Sequence, residues 1–214
     1  MPPKAKAAAK KVPAKSKTGK SSPKPKKDGA SKSAEGAAAK EVTPEAPPPP
    51  PQKTIGLKQL PSVVMEDSTG EIKASGLYPL IIDGTGTANT FLRYRDVNYL
   101  NAQNPGDMDR SRIRLALLGS LRFGKPMVLD LADTDIVDVV KEKFDLVKEE
   151  FLEMIITGQM VKEENYKPLV LDSDDAAYNS WFEYKNEEFN FILLAANETA
   201  CRSLKNRFYN FIVE

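Results

Sequence analysis

The first 52 residues contain no aromatic residue, no leucine and no isoleucine. They hold 11 of the chain's 16 prolines and 12 of its 31 basic residues, but only 4 of its 30 acidic residues. Such a segment cannot bury enough apolar surface to offset the entropy lost on ordering, so we expect residues 1–52 to be a disordered Lys/Ala/Pro-rich basic tail. Any fold must then be built from residues 53–214, which are numerous enough for one domain with a hydrophobic core.

The charges of the chain are segregated between these two parts. The formal net charge is only +1, but the tail carries +8 and residues 53–214 carry −7. Lysines without arginine or aromatic residues attract polyanions over long range and do not read bases. The densest cluster contains Lys24, Lys26 and Lys27. Nucleic acid, an anionic membrane or the acidic tails on microtubules would fit such a segment, and so would a solubilising role without a partner.

Five consecutive prolines, 47–51, separate the tail from the rest of the chain. We interpret this run as a stiff polyproline II spacer rather than as a ligand for an aromatic groove, because five prolines alone are a weak recognition signal.

Several classes of protein are excluded by the residues that the sequence lacks. It has no histidine and one cysteine, Cys201. Ser-His-Asp and Cys-His catalysis, histidine metal sites, intramolecular disulfides and cysteine-based zinc sites are therefore excluded. No apolar run approaches the roughly 20 residues of a membrane-spanning helix, and the amino terminus has no apolar stretch of a secretory signal. We expect a cytoplasmic protein without a membrane partner.

Short apolar runs alternate with amphipathic segments from residue 77 onwards, after a lead-in, 53–76, that we expect to be an irregular linker. The apolar runs predict strands at 78–83, 96–100, 126–131, 189–196 and 208–213. Helical periodicity predicts helices at 87–94, 107–122 and 135–157. We expect residues 169–171 and 181–184 to form a small hairpin around the acidic loop 172–175. Strands that alternate with helices predict an α/β fold with a five-stranded parallel sheet over residues 77–214.

Four of the predicted strands carry sequences that occur together in one known family. They read Tyr-Pro-Leu-Ile-Ile-Asp (78–83), Arg-Phe-Gly-Lys-Pro-Met-Val-Leu-Asp-Leu (122–131), Phe-Asn-Phe-Ile-Leu-Leu-Ala-Ala-Asn (189–197) and Tyr-Asn-Phe-Ile-Val (209–213). In this order they resemble the fifth AAA module of dynein heavy chains, whose strands read W-P-L-x-I-D-P, A-I-x-x-G-x-x-V-L-x-E, F-R-x-x-L-x-T and I-N-F-x-V. A dynein-like module also occurs in some IQ-motif and ankyrin-repeat proteins. The resemblance implies an AAA-type three-layer sandwich without the helical lid of a full AAA unit.

The sequence departs from a working AAA module at the phosphate loop, G-x-x-x-x-G-K-[ST]. The corresponding residues run from Gly84 through Gly86 to Asn89 and Thr90. Asparagine stands in place of the second glycine, and threonine stands in place of the lysine that reaches the β- and γ-phosphates. The degeneracy fits the resemblance, because the fifth dynein module is itself degenerate here. We expect a strand-to-helix turn rather than a nucleotide site at these positions.

Two further positions of the resemblance lack their usual chemistry. Asp130 is followed by leucine, where an active module has a glutamate that activates water. Asn197 stands where AAA proteins carry a polar sensor residue, although it also suits a turn at the end of a strand. Asp130 and the acidic residues that follow it are more typical of a helix entry than of a metal cluster. We therefore expect neither catalysis nor a cofactor nor a metal.

The resemblance implies a non-catalytic structural or adaptor protein of a ciliary or flagellar axoneme. Its domain would dock into a protein complex, and the basic tail would contact tubulin or neighbouring proteins. Trp181, with Tyr178 and Tyr184, is a candidate partner-binding patch, unless these rings pack on the domain. Two alternatives remain open: a weak nucleotide-binding protein or NTPase completed by a neighbour, and a nucleic-acid-associated protein led by the lysine tail. The acidic domain disfavours the second.

Overall fold

The computed structural model describes residues 49–214. The lysine cluster 24–27 and most of the predicted tail lie outside the described residues.

A six-stranded parallel sheet organises the domain, in the order β1-β6-β2-β5-β4-β3. The strands are β1 (Gln52–Ile55), β2 (Pro79–Ile82), β3 (Asn98–Asn101), β4 (Met127–Asp130), β5 (Phe191–Ala195) and β6 (Tyr209–Val213). Every residue of β2, β4 and β5 is buried, because helices or turns cover both faces of the sheet. Continuous apolar runs are typical of such strands, and the predicted α/β fold with a parallel sheet is confirmed.

The predicted count of five strands is wrong, because β1 adds a sixth. Gln52–Ile55 pairs in parallel with the carboxyl-terminal strand, with Gln52 opposite Asn210 and Ile55 opposite Val213. Only Ile55 of this strand is buried. The segment 53–76 is also not irregular: Pro61–Met65 forms a turn of π-helix, and the short helix α1 (Glu71–Ser75) follows.

Two separate cores lie on the two faces of the sheet. The smaller core contains Ile72 of α1 and residues Ala88 and Leu92 of α2 (Thr87–Arg93). The larger core receives apolar residues of α3 (Arg110–Phe123), α4 (Val137–Asp145), α5 (Phe151–Ile156) and α6 (Glu163–Tyr166). None of the helices that the structure describes is long and apolar enough to cross a membrane.

The long helix predicted at 135–157 is divided into α4 and α5. Glu150 adopts a left-handed backbone conformation, with φ 55°, and the chain turns there before α5 begins. Phe144 and Phe151 still pack against each other across the break, with ring centroids 6.0 Å apart. The apolar spacing is therefore continuous across the break, and for this reason it predicted one helix where there are two.

The hairpin predicted around the acidic loop is also wrong. Residues 167–188 form a succession of 3₁₀ turns that pack on α3. Arg114 explains the arrangement, because its guanidinium pairs with both carboxylate oxygens of Asp174 and donates to the carbonyl of Leu169 at 2.8 Å. This ion pair is buried, with side-chain exposures of 10% and 6%.

Candidate functional site

A cleft of about 270 Å³ opens at the carboxyl ends of β2, β5 and β4. These three strands are neighbours in the sheet, and parallel sheets bind ligands at such an edge. The cleft brings together Gly86, Asn89 and Asp130, three of the positions that the resemblance relates to a nucleotide site. It is also lined by Asp83, a residue that the sequence analysis did not assign to the site.

Asp83 follows β2 directly and turns its carboxylate into the loop that comes after it. Oδ1 accepts hydrogen bonds from the backbone N–H of Thr85 at 2.8 Å and from its hydroxyl at 2.6 Å. Oδ2 accepts from the N–H of Ala88 at 2.5 Å, with the Thr87 hydroxyl at 3.4 Å. Gly86 permits the tight turn, because its φ of +72° is a conformation that side chains with a Cβ rarely adopt. The loop is thus wrapped around its own anion.

The electrostatics of Asp83 agree with this geometry. Burial of the carboxyl favours its neutral form and acts to raise its pKa, but the hydrogen bonds from Thr85, Ala88 and Thr87 outweigh burial, and the pKa lies below the ordinary value. Asp83 is therefore a buried anion, 2% exposed, at the amino end of α2. A phosphate brought to the same amides would compete with this carboxylate and be repelled by its charge.

Asp130 ends β4, and its carboxylate accepts hydrogen bonds from three neighbouring groups. Oδ2 accepts from the side-chain amide of Asn89 at 2.6 Å and from the hydroxyl of Tyr99, and Oδ1 accepts from the N–H of Ala132 at 2.8 Å. Burial, and then the hydrogen bond to Asp130, raise the pKa of Tyr99, so its phenol stays protonated and donates. The carboxylate that could have held a metal instead links three elements of the fold.

The turn after β4 is strained and is fixed by the same acid. Ala132 has φ 57°, which is uncommon for a residue with a Cβ. Its N–H donates to Asp130, and its carbonyl accepts from the N–H of Ala196, at the end of β5, at 2.7 Å. Asp130 thereby fixes the turn at Ala132 as well as the side chain of Asn89, and both residues line the cleft.

The remaining predicted positions stand outside the cleft or serve the backbone. Gly84 is exposed and does not line it. Thr90 is exposed, and its hydroxyl donates to the carbonyl of Gly86 at 3.1 Å, one turn earlier. Asn197 donates to the carbonyl of Asp133 at 3.1 Å and accepts from the N–H of Ala200 at 2.9 Å. Asn197 thus acts as a turn residue in this structure.

Trp181 is partly buried against the larger core rather than projecting from the surface. Its ring lies 5.6 Å from that of Tyr184, which in turn stacks on Tyr166 at 4.9 Å. The adjacent Phe182 is 89% exposed instead. The exposed aromatic side chain of this segment is therefore Phe182, the residue after Trp181.

Tyr99 is a second residue of the site that the sequence analysis missed. It lies on β3, at the edge of the sheet and 31 residues before Asp130, and no local pattern connects the two. Asp83 did have a local signal: a strand-end aspartate followed by threonines two and four residues later can accept hydrogen bonds from the turn that it begins.

The described part of the chain contains no group of three or more Cys, Asp or Glu side chains that could hold a metal ion. Comparison with models of known protein families gives no match, and comparison with solved structures gives no significant match.

Proposed function

We propose that the chain is a non-catalytic structural or adaptor component of a ciliary or flagellar axoneme. Its domain would be a degenerate dynein-like AAA module that docks into a protein complex. The basic tail, with Lys24, Lys26 and Lys27, would contact the microtubule or a neighbouring protein. The exposed Phe182 would contact the partner, and Trp181, packed against the larger core, would hold this segment in place.

The order of the strands supports an AAA-like identity for the domain. The resemblance relates residues 84–90, Asp130 and Asn197 to parts of one nucleotide site, although they are far apart in the sequence. They lie at or just after the carboxyl ends of β2, β4 and β5, which are adjacent in the sheet. Many other strand orders would have separated them.

The observation that carries the non-catalytic part of the proposal is the carboxylate of Asp83. In a phosphate loop, backbone N–H groups and a lysine neutralise the phosphates. Here the amides of Thr85 and Ala88 already donate to Asp83, and Thr90 supplies no cation. The loop has become a self-contained turn, which suits a domain whose role is to present surfaces.

Isothermal titration of the full chain with MgATP or MgGTP tests this part directly. We expect no heat of binding up to about 1 mM nucleotide. Binding tighter than this would contradict the non-catalytic assignment.

The location of the protein is tested separately, with a tagged chain expressed in ciliated cells. We expect it in purified axonemes. A variant with Lys24, Lys26 and Lys27 changed to Gln should be extracted at lower salt. With fewer positive charges its electrostatic attraction to the partner is weaker, and less salt is needed to screen it. Lys4, Lys6 and Lys10 changed to Gln is the control with the same loss of charge. Absence of the wild-type chain from axonemes would overturn the proposal.

A weak nucleotide-binding function is the second candidate, and the open cleft of about 270 Å³ favours it. A neighbouring subunit would have to supply the missing cation. This candidate predicts heat on nucleotide addition in the assembled complex and its loss in Asp130→Ala. Equal heats for the wild type and the variant would remove it.

A further inference from the structure

Two exposed arginines lie close together on a domain whose net charge is negative. The end of α2 and the turn that follows it expose three consecutive residues, Arg93, Tyr94 and Arg95, which we name the Arg-Tyr-Arg turn. Tyr94 is 87% exposed. The turn has a defined backbone, because the N–H of Arg95 donates to the carbonyl of Leu92 at 3.1 Å and that of Val97 to the carbonyl of Arg95 at 2.9 Å.

Both guanidinium groups are held by aromatic rings. The guanidinium of Arg95 lies 4.4 Å from the centroid of the Phe91 ring, and that of Arg93 lies 5.0 Å from the centroid of the Tyr99 ring. Cation–π contacts restrict these side chains, and N–H donors remain for other groups even though Arg93 also hydrogen-bonds to the Tyr99 side chain. Among residues 49–214, neither guanidinium has a carboxylate oxygen within 4.0 Å.

Two acidic side chains close to the turn in the sequence or in the fold, Asp96 and Asp107, already have partners. Asp96, the next residue, pairs with Lys125 at 2.6 Å. Asp107 lies 4.0 Å from Arg112, which also donates to the carbonyl of Tyr99. Among residues 49–214 neither guanidinium forms an ion pair, although the Tyr99 side chain and the more distant Asp130 and Asp107 partly offset the charge of Arg93. Both cations lie on a region of the chain, 53–214, whose net charge is −7.

We infer that the Arg-Tyr-Arg turn is a docking site for an acidic, Asp/Glu-containing segment of a partner protein. A guanidinium offers a planar pair of donors that matches a carboxylate, and this bond is charge-assisted. The exposed Tyr94 ring adds apolar contact and one hydroxyl, a combination that is frequent where binding energy is concentrated. Docking at these residues is independent of the proposed function.

Charge complementarity favours an acidic peptide over nucleic acid. Nucleic acid binding draws on many phosphate contacts along a basic stripe. The turn offers two guanidiniums, and the net negative charge of residues 53–214 repels a long phosphate backbone. A short acidic segment can meet the two guanidiniums and leave the rest of the acidic surface uncovered.

The experiment measures the fluorescence anisotropy of a labelled peptide of alternating glutamate and glycine with the full chain at physiological salt. The variant carries Arg93→Gln and Arg95→Gln. The control carries Lys143→Gln and Arg202→Gln, two exposed positions outside the turn that remove the same charge. The basic tail is identical in all three proteins, so any difference in affinity between them arises from the substituted residues. Circular dichroism checks that each variant is folded.

We expect the turn variant to lose roughly 10-fold or more in affinity, since charge-assisted hydrogen bonds are lost, while the control stays close to the wild type. Tyr94→Ala should weaken binding by a smaller factor without any change in charge. Equal affinities for wild type and turn variant would overturn the inference, because the tail would then account for all binding. If a labelled oligothymidylate loses affinity by the same factor in the turn variant, the surface is a general polyanion site and the assignment to acidic protein segments is overturned.

Discussion

The cleft and the Arg-Tyr-Arg turn use charge in opposite ways, although Tyr99 touches both. In the cleft, Asp83 and Asp130 are almost fully buried and accept hydrogen bonds from the backbone and side chains around them. On the turn, Arg93 and Arg95 are exposed and contact aromatic rings, and neither forms an ion pair with a carboxylate among residues 49–214. A buried charge with hydrogen-bond partners stabilises the fold, whereas an exposed charge outside an ion pair can bind another molecule. Substitutions at the two kinds of site should therefore have different effects on stability and on binding.

The largest effect on stability is expected at the buried ion pair of Arg114 and Asp174, which, like Asp83 and Asp130, is a charge with partners inside the fold. Asp174→Ala leaves the guanidinium buried without its carboxylate, and such a loss typically costs about 3–5 kcal/mol of unfolding free energy. Urea denaturation followed by circular dichroism measures it. Asp172→Ala, at an exposed position of the same loop, is the control. A change below about 1 kcal/mol for Asp174→Ala would show that this ion pair contributes no more to stability than an exposed one.

A somewhat smaller loss is expected for Asp83→Ala. The change removes the acceptor of the Thr85 and Ala88 N–H groups, and unsatisfied donors at a helix start cost about 1–3 kcal/mol. The same denaturation assay applies, with Thr90→Ala as the control, because Thr90 is exposed and only donates within its own helix. If the stabilities of Asp83→Ala and the wild type coincide, Asp83 does not hold the loop.

The pH dependence of stability should follow from the same carboxylates. Hydrogen bonds from Arg114 hold the pKa of Asp174 below its ordinary value, and the pKa of Asp83 is also lowered. A carboxyl with a lowered folded-state pKa stabilises the protein above its unfolded-state pKa, and this contribution is lost as pH falls through the folded value. We expect the unfolding free energy to decline below about pH 4. Asp174→Ala should show a shallower decline, and an identical profile would contradict the assignment.

The smallest effect on stability is expected for the turn variant with Arg93→Gln and Arg95→Gln. Exposed cation–π contacts contribute little, so we expect about 1 kcal/mol or less. Thermal unfolding measures this change alongside the peptide-binding assay. A large destabilisation would show that the arginines belong with the structural charges and would remove the distinction between the two regions.

Most of the sheet was predictable because its strands are buried on both faces. Apolar runs identified β2, β4, β5 and β6 to within a few residues, and β3 nearly as well. β1 was missed, since Gln-Lys-Thr-Ile contains one apolar residue and is stabilised by pairing with a strand about 150 residues later. Non-local pairing of this kind leaves no local signal.

The site was predicted in its positions but not in its contacts. The resemblance identified Asn89 as an altered phosphate-loop position and Asp130 as a vestigial acidic position, yet it could not show that they bond to each other at 2.6 Å. Likewise, the two arginines of the turn read as ordinary residues near the end of a helix. Only the fold reveals that aromatic rings hold them and that nearby acids already have partners.

The pairing of β1 with β6 has a mechanical consequence. The two strands run in the same direction, so tension applied between Gln52 and Val213 would pull them past each other along their length. The hydrogen bonds between them would then be loaded together in shear rather than opened one after another. A domain pulled through these two strands would resist stretching where β1 pairs with β6.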